Sequence, residues 1–196
     1  MSLGIVNEKK ATAGDIIDIV KFDAKAGDFL RVDRSQNSAG AWEKNETEIS
    51  LPTRFVMDLA NTEVGWISFA TGVPDFQMTV VGGKMPARPT EDHKQGFRVR
   101  LYSDDLGLRE LSSSAKTIIR ELDALHTSYE DDAKDNDGKV PVVEFSGTKP
   151  IKITTPQGEL RFKAPEWRIV EWVSRPDGLP VRDGAEQSEP EGKDLF

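Results

Sequence analysis

The chain of 196 residues contains no cysteine, which excludes disulfides, thiolate metal ligands and a cysteine nucleophile and fits a reducing compartment. Histidine is scarce: His93 and His126 are the whole supply, thin provision for acid–base or metal chemistry. HExxH, GxSxG and a phosphate-binding loop are all missing. Gly82-Gly83-Lys84 matches such a loop for three residues but lacks the leading glycine and the following Ser or Thr, so it reads as a turn. No apolar run approaches the ~18 residues of a membrane helix, and Met1 to Lys10 carries no apolar signal core. These absences point to a cytoplasmic binding protein that uses no cofactor, rather than to an enzyme.

Charge is plentiful but uneven. The net charge is −8, yet the acids concentrate in two places. Residues 177–196 hold six acids against two bases, and 121–137 hold seven against one, leaving the rest of the chain 21 acids against 23 bases. A polyanionic partner is therefore compatible with the body of the chain in spite of the acidic total.

The pattern along the chain is mostly β. Residues 1–14 show no periodicity and are expected to form a mobile leader. Ile16–Phe22 and Phe29–Val32, joined through Ala24-Lys25-Ala26-Gly27, read as a hairpin. The polar stretch 34–46 reads as a loop. Strands are expected at Thr47–Leu51, Phe55–Leu59, Val64–Ala70, Phe76–Val81 and Phe97–Tyr102, with 82–95 irregular because of its prolines and glycines. Leu111, Ala115, Ile118, Ile119, Leu122 and Leu125 follow the helical repeat, which predicts one helix over Glu110–Tyr129. Four further strands follow at Val140–Phe145, Ile151–Thr155, Leu160–Lys163 and Trp167–Val173. Strands, one helix, then strands is not parallel α/β alternation. It predicts a mainly β domain over 15–176, an elaborated OB-fold with its helix between two sets of strands, or failing that another β-barrel or α+β sheet. A disordered acidic tail is expected over 177–196.

Two constellations could bind metal. Asp135, Asp137, Gly138, Val140 and Glu144 fit positions three, five, six, eight and twelve of a calcium loop, but Ala133 occupies position one and Pro141 position nine. A surface loop is the better reading. Pro74-Asp75 with Asp92-His93-Lys94 has the residue pattern of a PD-(D/E)xK nuclease, in which two carboxylates hold a divalent ion and a lysine steadies the attacking water. That is the enzymatic alternative; a structural or assembly protein of a virion is the non-enzymatic one.

The basic residues favour a third reading. Alternation turns Phe97, Val99 and Leu101 inward and Arg98, Arg100 and Tyr102 outward. Arg161 and Lys163 point out likewise, as does Arg31, and the 82–95 loop adds Lys84, Arg88 and Lys94. Cations tracking a backbone beside rings that stack bases are the apparatus for single strands. Trp66, Trp167 and Trp172 lie in strands and read as packing, whereas Trp42 lies in a polar stretch and reads as a stacking or partner contact.

The tail ends in Asp194-Leu195-Phe196. This tip resembles that of single-stranded DNA-binding proteins, and MPARPTEDHKQGFRVRLYS with WISFATGVPDF before it resembles the phage-encoded OB-fold members of that group. The resemblance implies sequence-independent binding of single-stranded DNA in phage replication and recombination, in the host cytoplasm. It also implies a tail tip (Asp194, Leu195, Phe196) that recruits replication or recombination proteins, and it is compatible with a homo-oligomer.

Overall fold

A computed structural model of the chain describes residues 17–182 apart from Val73. The leader and the tip Asp194-Leu195-Phe196 lie outside the described residues. The first hairpin forms as its β-branched pattern predicts: β1 (Ile19–Asp23) pairs antiparallel with β2 (Asp28–Gln36). Asp23 shapes the turn, its Oδ1 accepting the N–H of Lys25 at 2.8 Å and of Ala26 at 3.1 Å. Gly27 completes it at φ +86°, where a Cβ would also stand 2.3 Å from Lys163 Cδ.

The stretch 34–46 is a second hairpin instead of a loop. β2 runs on to Gln36 and β3 (Trp42–Glu48) returns beside it. Asn37 organises the turn, its Oδ1 accepting from the N–H groups of Ala39 and Ala41 at 3.0 Å. Every residue of β3 is exposed, so no apolar alternation announces it; its ladder with β2 and the Lys21–Glu46 ion pair to β1 hold it.

Four strands follow: β4 (Thr53–Met57), then β5 (Glu63–Ser68) after a single 3-10 turn, β6 (Asp75–Val80) and β7 (Lys94–Ser103). The expected helix is shorter at its start. Gly107–Ser113 is β8, paired with β7, and α1 spans Lys116–Ala133. Leu111 meets the helical spacing by coincidence, since it is buried in β8 opposite Val99. The last four expected strands are two: β9 (Lys139–Thr155) and β10 (Gly158–Ser174), 17 residues each, form one hairpin with two register shifts. Pro141 and Pro150 do not break β9, because both fall outside the four residues where it has β4 as a second neighbour.

The described residues are mainly β with one α-helix. Their ten strands make a single sheet in the order β10-β9-β4-β7-β8-β1-β2-β3, with β5 and β6 attached through β7. The sheet is open, although the Lys163 N–H of β10 donates to Ala24 O at 2.7 Å in the first turn. The helix falls between β8 and β9, with strands on either side as expected, but it follows the eighth strand of an open sheet and not the third strand of an OB-fold barrel. Inside the curl, Phe29 and Phe55 both pack on Phe145, with ring centroids 4.7 and 5.1 Å apart, and Trp167 adds its ring at 5.4 Å. Ile118, Leu122 and Leu125 of α1 are buried with them. Each such side chain contributes roughly 1.5–3 kcal/mol on burial.

Packing also extends beyond the expected domain end at residue 176. Arg175 donates two hydrogen bonds to Asp58, Leu179 is fully buried, and Arg182 pairs with Glu63 and Glu110. Residues 177–182 thus belong to the folded body.

Candidate nucleic-acid interface

Side-chain direction on β7 follows the alternation, but the outward face is roofed. Arg98 donates to the Glu110 carboxylate at 2.8 and 2.9 Å, stands 3.8 Å from Glu63, and lies 4.2 Å over the Phe76 ring. Arg182 bridges the same two glutamates, closing a ring of alternating charge. Arg100 donates to Pro180 O at 3.3 Å. The Tyr102 hydroxyl donates to Asp104, which pushes its pKa up, and a Cβ on Gly178 would sit 2.2 Å from the Tyr102 ring. Arg98, Arg100 and Tyr102 therefore lie beneath 175–182, engaged within the fold. Alternation fixes which way a side chain points and is silent on what later crosses over it.

The other expected cations are dispersed. Arg31 pairs with Asp33 at 2.5 Å and Arg161 with Glu159 at 3.0 Å, while Lys163 Nζ donates to Ala26 O at 2.7 Å. Trp42 is 56% exposed at the turn end of the β2–β3 hairpin. Lys84 is exposed on the loop before β7. Asp75 of the nuclease pattern is engaged by His93 and Gln77, and Asp92 is exposed. Among the described residues, no three His, Asp or Glu side chains are grouped to hold a metal ion.

Arg88 and Lys94 instead meet residues that sequence reasoning passed over. Val64 and Trp66 point to the face of β5 opposite Glu63, and there the first half of α1, the start of β7 and the loop before it, which ends at residue 93 and not at 95 as expected, enclose a groove of about 1050 Å³. Its apolar wall is Val64, Trp66, Val81, Met85 and Ile119. Its charge comes from Arg88, Lys94, Lys116 and Arg120 against one carboxylate, Asp123, and both histidines of the chain line it. Lys94, Lys116 and Arg120 have no ion-pair partner among the described residues. Lys116 and Arg120 are one helical turn apart, a spacing visible in the sequence once the helix start is placed correctly.

The loop is fastened over the groove. The Trp66 indole N–H donates to Pro86 O at 2.8 Å, and the Arg88 guanidinium lies 5.6 Å from the indole centroid. Arg88 also donates to His93 O at 2.9 Å and to Glu91 O. His93, 4% exposed, lies 2.8 Å from Thr90 Oγ1 and 3.2 Å from Asp75 Oδ2. These bonds hold an irregular, proline-containing segment in one shape.

The cations at the start of α1 oppose the helix. Lys116 occupies a first turn that contains no acid, and Ala115 supplies no side-chain cap. A cation there meets the positive end of the helix dipole, at a cost of roughly 0.3–1 kcal/mol. Helix stability does not explain its presence. No family model, curated protein or solved structure matches the chain.

Proposed function

We propose that the protein binds single-stranded DNA without regard to sequence, through the groove between α1, β5, β7 and the loop that precedes β7. One observation carries the reading: Lys116 and Arg120, with no ion pair among the described residues, face an apolar wall containing an indole, and Lys94 stands at the edge of the same groove. Cations beside apolar and aromatic surface suit a chain of phosphates bearing unpaired bases. Lys94, Lys116 and Arg120 take phosphates, and Lys84 extends the basic rim. The acidic tail and its tip Asp194-Leu195-Phe196 recruit replication or recombination proteins in the host cytoplasm, in the manner of the phage proteins the sequence resembles. In this reading the protein is a binder, with no cofactor.

Fluorescence anisotropy with labelled oligo-dT, first in EDTA and then in magnesium, tests this. We expect metal-independent binding with a salt slope of about −0.7 per phosphate, so about −2 for three contacts. Lys116→Ala and Arg120→Ala should each reduce the slope by about 0.7. Cleavage confined to magnesium would establish the nuclease alternative, and neither binding nor cleavage would leave the virion protein.

A further inference from the structure

Arg88 is the groove cation with the most contacts, and all of them are internal. Its Nε donates to His93 O, its Nη2 to Glu91 O, and its guanidinium plane lies over Trp66. Two of its five N–H donors are spent inside the loop, and those bonds fix the guanidinium beside the indole. Trp66 shows the converse: its N–H is satisfied by Pro86 O, and the residue, half-buried, lines the groove. Gln95 lies directly opposite Trp66 on β7 and lines the groove as well. A large ring fixed by a hydrogen bond and backed by a cation keeps its apolar surface available at little further entropy cost.

We infer that Trp66 is the base-stacking platform of this groove and that Arg88 is a positioning residue that holds it. The ligand class follows. A platform inside a groove takes an unstacked base, so the site accepts single strands and excludes the interior bases of a duplex. Gln95 offers its amide to whichever base edge lies beside the ring, a contact that suits any base. The inference rests on the groove being the DNA site proposed above.

The test compares oligo-dT with an abasic oligomer of equal length, which keeps the phosphates and lacks the bases. The parent protein should prefer oligo-dT by about tenfold, the worth of one stacked base. Trp66→Leu should abolish that preference while leaving affinity for the abasic oligomer and the salt slope as they were. Trp66→Phe, which keeps a ring, should retain part of it. Arg88→Lys keeps the charge but not the fork, so it should lose the preference at an unchanged slope; a plain phosphate ligand at position 88 would tolerate the change.

If the parent binds neither oligomer, both the inference and the DNA reading fall. If it binds both equally, or if Trp66→Leu keeps the preference, the inference falls alone. Photocrosslinking of the unaltered protein to an oligomer carrying 5-iododeoxyuridine covers the case in which Trp66→Leu does not fold. A crosslink at Trp66 supports the platform, and crosslinks confined to Trp42 or Tyr102 overturn it.

Discussion

Asp58 is 1% exposed and uses both carboxylate oxygens, taking Arg175 at 2.8 and 3.0 Å and the Asn61 amide at 3.0 and 3.1 Å. The pairing holds the Arg175 guanidinium above its ordinary pKa. Arg175→Ala should cost about 3–5 kcal/mol, because it strands a buried charge, and urea denaturation would show it as a lower midpoint. A midpoint unchanged from the parent would mean that water reaches Asp58. Arg98→Ala should likewise lower the midpoint while leaving the salt slope for oligo-dT untouched. Only the direction of Arg98 was legible in the sequence. Its partners were not, since Glu110 reads as helical there and Arg182 as tail.

At the level of elements, α1 is charged against its own dipole at both ends: Lys116 opens it, and Glu130, Asp131 and Asp132 crowd the last turns, which hold no base. Lys116→Glu should therefore raise thermal stability by about 0.3–1 kcal/mol and weaken oligo-dT binding in the same protein. A lower melting temperature, or unchanged binding, would sever the helix from the groove. The interior of this helix was plain from Ile118, Leu122 and Leu125, whereas its start was obscured because Leu111 happens to continue the repeat. β3 has no apolar residue after Trp42 and left no periodic trace. The long β9–β10 hairpin was hidden by prolines that break a central strand but are tolerated where a strand has a single neighbour. The groove is half legible: Arg88 and Lys94 stand out in a polar stretch, while Trp66, in a strand, reads as packing.

Across the whole molecule, several carboxylates hold pKa values below their ordinary range. Asp23 is lowered by the N–H groups of Ala26 and Lys25, and Glu144 by hydrogen bonds from Arg54 and Arg168. Asp33 is raised by burial but lowered further by Arg31 and Arg109. A carboxylate with a depressed folded pKa adds stability that is full above its unfolded value and is lost as pH falls through the folded one. Stability should therefore be level from neutral pH to the ordinary values, 4.5 for Glu144 and 3.8 for Asp23 and Asp33, and decline below them. Urea titrations across that range would show it, and a decline already complete at pH 5 would point to other groups.

The crossing of 175–182 over β7 also has a meaning in time. Asp58 and Arg175 are 117 residues apart, and a ribosome adds roughly 5–20 residues per second. Asp58 therefore waits about 6–23 s for its counter-ion. Through that interval Asp58, which follows β4, lacks the guanidinium that compensates its burial, whereas Glu63 and Glu110 already have Arg98. Burial of Asp58 should therefore await the end of the β9–β10 hairpin.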